Sequence, residues 1–182
     1  MQEAVIFIAA SLALTYLSRD SLANPGSHGF YRFFAWECML GIFVLNLRFW
    51  HANTGSIFQT VSGLLFFISL LLVLVSVIRL YLAGKPDSTR NDSPMFEFEK
   101  TTLLITTGIY SYIRHPMYSS LIFLCWGLFF KNPSLPGSIL AVTASCLLVV
   151  TAITEESENI RYFGHKYHEY MKHTKMFVPF IL

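Results

Sequence analysis

The stretch "YSYIRHPMYSS", residues 110–120, places two basic side chains directly before a strongly apolar run. Proline is favoured at the first position of a helix, because its missing N–H group would have no partner there. The sequence therefore predicts that His115 caps a helix that begins at Pro116. The free N–H groups at such an end attract anions, and Arg114 adds a full positive charge beside them. The stretch is suited either to binding an anionic group or to anchoring a helix at lipid headgroups.

A pair of carboxylates, Glu155 and Glu156, follows the last apolar run of the chain. Spacings of three and four place Glu156 on one mostly apolar helical stripe with Ile160, Phe163, Tyr167 and Tyr170. Glu155 is expected to point about 100° away from that stripe, towards Asn159 and Tyr162. A carboxylate that faces the interior of a membrane protein is costly unless it meets a cation. We therefore expect a cationic partner for Glu156, or, alternatively, two side chains that both reach water at the membrane surface.

Other polar residues carry weaker signals. Glu37 is the one acidic residue inside an apolar run, and three uses stay open for it: pairing with an arginine, contacting a substrate, or reaching the interface. The tail histidines are His165, His168 and His173. Their spacings give no common face with a carboxylate, so we expect solvated side chains and no metal site.

The composition indicates which solvent surrounds most of the chain. Of its 182 residues 54% are hydrophobic and only 13% are charged, whereas ordinary globular domains carry roughly 25% charged residues. A net charge of +2, without a basic stripe, argues against nucleic-acid binding. The three cysteines lie in apolar runs and are odd in number, which predicts buried thiols and no disulfide framework. An all-α integral membrane protein is the predicted fold class.

Five apolar runs must position the polar residues. They cover residues 4–18, 33–47, 57–78, 117–130 and 138–154. Only the run 57–78 reaches the length of about 20 residues that a bilayer requires, so we expect the others to recruit flanking residues or to lie in thinned membrane. The first run lacks a basic leading region and a cleavage site, and is predicted to be a retained span.

We accordingly predict about five transmembrane helices in two regions. Residues 1–82 hold three membrane helices. Residues 83–182 hold a polar loop, a helical hairpin within 116–154 and an amphipathic C-terminal helix interrupted near Gly164. A cofactor pocket is expected at the end of the bundle formed by this second region.

Taken together, these elements resemble a known family. "GIYSYIRHPMY", the Glu pair, "FGHKYHEYM" and a closing "VPF" follow one another between residues 96 and 180. This combination is similar to that of the isoprenylcysteine carboxyl methyltransferase and phospholipid methyltransferase superfamily. "KNPS" at 131–134 matches the turn that often joins the two helices of that family's hairpin. The chain departs from the pattern at Asn159 and Ile160, where the family usually has a leucine.

The resemblance implies S-adenosylmethionine bound at the cytoplasmic face, with a small or lipid-like acceptor (a carboxylate, thiol or amine) reaching it from the bilayer. By position, the residues that line the cofactor would be Gly108, Ile109, Tyr110, His115, Pro116 and Tyr118, with Glu155 and Glu156 closing the pocket. Lys100 and Arg114 would hold the methionine carboxylate. Arg161 would orient an anionic acceptor, and Glu156 would act as the base for an amine. Neither a metal nor a nucleic acid is implied.

Two other functions stay open. Membrane sterol reductases share a similar C-terminal arrangement and bind NADPH there, although they need additional cations for the 2′-phosphate and usually have longer chains. A membrane scaffold or lipid-binding protein without enzymatic activity would use Arg114 and Glu156 only as anchors at the interface.

The basic residues predict the orientation in the membrane. Of the 13 Lys and Arg residues, only Arg48 and Lys131 fall on one side of a five-span arrangement. Cytoplasmic loops carry an excess of basic residues, so the N-terminus is predicted outside and the C-terminus in the cytoplasm. We expect the inner membrane of a prokaryote rather than the endoplasmic reticulum.

Residues 84–94 and the C-terminus should therefore share the cytoplasmic face. After replacement of the native cysteines, a cysteine introduced at Ser88 should resist a membrane-impermeant thiol reagent in intact cells. A cysteine at Gly55, in a loop predicted outside, serves as the labelled control. Labelling of the Ser88 variant from outside would overturn the orientation.

Overall fold

The computed structural model describes residues 1–52, 55–85, 87, 95 and 99–178. Its helices are α1 Gln2–Leu17, α2 Arg19–Leu22, α3 His28–Asn46, α4 Ile57–Ala83, α5 Pro116–Phe129, α6 Leu135–Phe163 and α7 His165–His173. One parallel bridge joins Ile113 and Lys175, and no strand longer than a single bridge residue occurs in the described ranges. The predicted all-α class is confirmed. Most of the polar loop 84–94 and the Pro-Phe of the closing motif lie outside the described residues.

Three helical segments are long and apolar enough to cross a membrane. They are α4, α6 and α3 with the 3₁₀ turn that follows it, His28–Phe49. The runs 33–47 and 138–154 therefore recruit flanking residues, as expected. Helices α1 and α5 have 16 and 14 residues, below the usual length of about 20. The number of five spans stays a prediction.

Short polar segments start the helices where the sequence predicts. Helix α5 begins at Pro116 with His115 as its N-cap residue, as expected. Helix α6 follows the turn 131–134, and the Ser134 hydroxyl accepts a hydrogen bond from a backbone N–H of its first turn. Ser27 and Ser56 cap α3 and α4 in the same way. A hydroxyl at this position satisfies an N–H group that has no partner inside the helix.

Small residues allow α4 and α5 to pack closely. The hydroxyls of Ser62 and Ser69 donate to the carbonyls of Gly127 and Ser120, both at 2.8 Å. A Cβ atom added to Gly127 would lie 2.6 Å from the Phe66 ring. Small residues and hydrogen bonds between helices are typical of helix contacts in membranes.

Polar contacts identify which helix ends lie together. Arg48, after α3, pairs with Glu3 of α1 at 2.5 Å. Lys131, after α5, bonds to Gln59 of α4 at 3.0 Å and lies over the ring of Trp50. The two basic residues predicted outside therefore share one end of the bundle. Because α3 packs on α6 and α4 packs on α5, the regions 1–82 and 83–182 form a single bundle.

The contact at Gly127 predicts a stability difference. Gly127→Val should lower the free energy of unfolding by about 1–3 kcal/mol, the usual effect of overpacking a close contact. Gly63→Val is the matched control, because a Cβ at Gly63 of α4 would meet nothing within 4 Å. Thermal unfolding of the purified proteins in detergent measures both. Equal losses in the two variants would contradict the close packing of α4 on α5.

Candidate functional site

A cavity opens at the opposite end of the bundle, between the end of α4, the start of α5 and the junction of α6 and α7. The empty space at this opening, part of which is open to solvent, is about 710 Å³. The stretch before α5 and the chain tail, which are far apart in the sequence, both contribute side chains to it. The structure therefore brings the two polar motifs together.

Arg114 is the cationic partner that was expected for Glu156. Its Nε donates to Glu156 Oε1 at 2.6 Å and its Nη1 donates to the Thr174 carbonyl at 2.5 Å. The side chains of Arg114 and Glu156 are only 9% and 8% exposed. His115 Nε2 lies 3.2 Å from the same carboxylate oxygen. Glu156 is thus already engaged by two neighbours from the start of α5.

Of the two adjacent glutamates, Glu155 and not Glu156 faces the cavity. Its side chain is 29% exposed and lines the cavity, whereas Glu156 does not. Glu156 is buried, as expected for a carboxylate on the apolar stripe. The cavity lies beside the face that carries Glu155 and Asn159, while Glu156 turns towards α5. Tyr118 Oη donates to Glu155 Oε2 at 2.5 Å and fixes this carboxylate.

The C-terminal strap, residues 174–177, runs beside the start of α5. The backbone N–H groups of Arg114 and His115 donate to the carbonyls of Lys175 and Met176 at 2.8 and 3.0 Å. These bonds hold the main chain at the site in place, so that the Arg114 side chain reaches Glu156. The strap is consequently part of the wall that supports the cavity.

Three tyrosines form an aromatic wall. Tyr167 and Tyr170 of α7 and Tyr110 before α5 line the cavity, and Tyr170 Oη donates to the Tyr110 carbonyl at 2.6 Å. Burial raises the pKa of all three phenols, so they remain neutral at physiological pH. Gly164, with φ of +62°, ends α6 and redirects the chain. The predicted stripe from Glu156 to Tyr170 is therefore divided between two helices.

Helix α3 contributes two buried pairs that the sequence did not predict. Arg32 Nη1 donates to Glu99 Oε1 at 2.6 Å, and Glu99 lines the cavity. Glu158 accepts from the His28 backbone at 3.1 Å and contacts the His28 ring at 2.6 Å. The sequence signals are slight: basic residues at the start of an apolar run, and a third carboxylate after the Glu pair. Neither signal indicates which residue these side chains pair with.

Some of the residues that were expected to line the cofactor pocket lie at the cavity, and others do not. The cavity is lined by Tyr110, Arg114, His115, Pro116, Tyr118 and Glu155, but not by Lys100, Gly108, Ile109 or Glu156. Arg161 is exposed, and its Nε donates to the Ser157 carbonyl on its own helix at 3.3 Å. The structure therefore does not bring Arg161 to the cavity. Lining residues that were not anticipated include the apolar side chains Leu80, Met95, Leu104, Ile105 and Phe163.

Glu37 lies away from the cavity. One of its carboxylate oxygens accepts from the Ser11 hydroxyl at 2.8 Å, and no arginine pairs with it among the described residues. His165 contacts the exposed Glu169 at 3.4 Å. No cluster of three or more possible metal ligands occurs in the part of the chain that the structure describes.

Comparisons with known proteins agree with the motifs. A family model described as phospholipid methyltransferase matches residues 57–166. This match begins earlier in the chain than the motif resemblance, which starts at residue 96. The chain is 32% identical over 87 residues to a protein-S-isoprenylcysteine O-methyltransferase of Schizosaccharomyces pombe. That match spans 45% of this chain and 35% of the relative's length. No solved structure matches the chain. Because the family match covers more than half of its residues, the chain belongs to the phospholipid methyltransferase family.

Proposed function

We propose that this integral membrane protein is a methyltransferase that uses S-adenosylmethionine and acts on a lipophilic acceptor. The observation that carries the proposal is the partly exposed Glu155 carboxylate, which faces a cavity walled by neutral aromatic side chains. Membership of the family favours methyl transfer over the reductase and scaffold alternatives. The specific donor, the acceptor and the roles of individual residues are inferences from the cavity.

The cavity suits a sulfonium compound. A sulfonium cation is stabilised by a nearby carboxylate and by the faces of aromatic rings. Glu155 supplies the negative charge, and Tyr110 and Tyr167 supply neutral rings. The Asn159 side chain adds amide hydrogen-bonding groups to the same wall.

When bound, S-adenosylmethionine supplies an electrophilic methyl group, which an acceptor removes by in-line displacement, leaving a neutral thioether. The protein contributes mainly by holding donor and acceptor in line. Tyr118 and His115 keep Glu155 in position, since the Tyr118 hydroxyl bonds to it and the two rings stack at 5.5 Å. Glu155 stabilises the bound donor before reaction as well as during it, so its charge contributes to affinity more than to rate.

The acceptor decides whether a base is needed. A carboxylate or thiolate attacks with its own lone pair and releases no proton. An amine that gains a methyl group must lose one proton, and of the adjacent pair Glu155 is the carboxylate at the cavity that can accept it. Glu156, which was expected in this role, is instead engaged by Arg114. Orientation of an anionic acceptor by Arg161 would require a movement of that exposed side chain.

A lipophilic acceptor is inferred from one apolar wall. Leu80, Leu104 and Ile105 line the cavity beside the end of α4. An apolar chain that leaves the bilayer there would bury its surface against these side chains, at about 25 cal/mol per Å². We place this end of the bundle at the cytoplasmic face, because the basic residues predicted outside lie at the other end.

The first test separates the charge of the donor from its shape. S-adenosylhomocysteine lacks the transferred methyl group, and with it the sulfonium charge, but otherwise has the same groups as S-adenosylmethionine. Glu155→Gln should weaken S-adenosylmethionine about tenfold or more, as expected for a lost charge-assisted contact, and should change S-adenosylhomocysteine affinity much less. Isothermal titration of the purified protein measures both. Equal losses for the two ligands, or no binding of either by the wild type, would contradict the proposed site.

The second test concerns the buried ion pair of Arg114 and Glu156. Glu156→Leu should lower the free energy of unfolding by about 3–5 kcal/mol, because it leaves the buried Arg114 guanidinium without its carboxylate. Adding Arg114→Leu should recover part of that loss, since two apolar side chains can replace a buried ion pair. Thermal unfolding of both variants and of the Glu155→Gln control measures this. A double variant less stable than Glu156→Leu would argue against a purely structural pair.

A further inference from the structure

Arg79, near the end of α4, is seated against the backbone of Gly108. A Cβ atom added to Gly108 would lie 2.6 Å from Arg79 Nε and 3.0 Å from Arg79 Cζ. Gly108 also has φ of +66°, a conformation that other residues rarely adopt. The missing side chain at Gly108 therefore leaves room for the guanidinium to rest on the turn before α5.

The guanidinium of Arg79 differs from those of Arg32 and Arg114. Each of the latter is buried and paired with a carboxylate at 2.6 Å. Arg79 is exposed, and no carboxylate of the described residues lies within ion-pair distance of it. A guanidinium keeps its charge at any physiological pH and offers five N–H donors in a planar fork that matches carboxylates and phosphates. Its donors are therefore available to an external anion.

The contact of Arg79 with Gly108, called the Arg79–Gly108 seat below, adjoins the apolar wall of the cavity. Leu80, the next residue after Arg79, lines the cavity, and so does Tyr110, two residues after Gly108. Leu104 and Ile105 continue the wall, and Ile105 packs close to Gly84 at the end of α4. A molecule whose apolar chain follows this wall would bring a charged headgroup within reach of Arg79.

We propose that Arg79 binds the anionic group, a phosphate or a carboxylate, of an amphiphilic methyl acceptor. That the bound molecule is the methyl acceptor rests on the proposed function. The two ends of that molecule bind to different parts of the protein. The anion binds at the Arg79–Gly108 seat, and the apolar chain lies against the wall formed by Leu80, Leu104 and Ile105. The donor site at Glu155 is not part of the seat.

Binding of a simple amphiphile tests the seat. The probes are hexadecyl phosphate and hexadecanol, titrated into the purified full-length protein in nonionic detergent with S-adenosylhomocysteine present. The wild type should bind the phosphate about tenfold more tightly than the alcohol, the lower end for a charge-assisted contact at an exposed site. Arg79→Gln should abolish that preference, and Arg79→Lys should retain part of it. Arg19→Gln, at another exposed arginine of the same bundle end, is the matched control and should leave the preference unchanged.

Two further measurements identify the source of the anion and the binding position of the alkyl chain. Inorganic phosphate alone should not compete with hexadecyl phosphate, because it lacks the apolar chain. Leu104→Trp should weaken both amphiphiles by filling the wall, whereas a lipid held only at the outer surface of the protein would be unaffected. Competition by inorganic phosphate, or unchanged affinities of both amphiphiles for the Leu104→Trp variant, would overturn the placement of the alkyl chain against the apolar wall.

The outcomes separate this inference from the proposed function. An unchanged phosphate preference in Arg79→Gln, with S-adenosylhomocysteine binding intact, would overturn the inference alone. Loss of S-adenosylhomocysteine binding in Arg79→Gln would also overturn it, because Arg79 would then serve the donor. A wild type that does not bind S-adenosylhomocysteine would overturn the proposed function, whatever its preference among the amphiphiles.

Discussion

The site depends on the burial of one carboxylate, that of Glu156, against the guanidinium of Arg114. A charge removed from water destabilises the fold by several kcal/mol unless an opposite charge and hydrogen bonds replace its hydration. Neither side chain can therefore be buried without the other. Arg114 also bonds to the Thr174 carbonyl, so this one requirement brings the start of α5, the end of α6 and the C-terminal strap together.

The same requirement explains how two adjacent glutamates come to differ. The carboxylate of Glu156 is satisfied inside the protein by Arg114 and His115. Glu155 accepts a hydrogen bond from the Tyr118 hydroxyl and lies 3.9 Å from the His115 ring, and part of its surface remains open to the cavity. An internal ion pair thus leaves its neighbour available to a ligand.

The sequence predicted the features that local rules determine. The start of α5 at Pro116 and the break at Gly164 follow from proline and glycine preferences within a few residues, and the turn 131–134 follows from the family resemblance. Helical spacing placed Glu155 beside Asn159, but which of the two carboxylates faces the cavity depends on where α5 and α7 lie relative to α6. The pairing of Arg32 with Glu99, 67 residues apart, likewise has no local signal. Family resemblance identified the lining residues near α5 but placed Arg161, which is exposed, at the site.

The C-terminal strap has a consequence for biosynthesis. The ribosome makes residues 174–177 after every apolar segment of the described chain has already been made. Yet their carbonyls complete the hydrogen bonds of Arg114, His115 and Ser119. Membrane insertion of the helices can therefore precede formation of the cavity, and the site matures only when the strap returns to α5. A nascent chain in which residues 174–177 have not yet left the ribosome would contain the membrane helices but not the finished pocket.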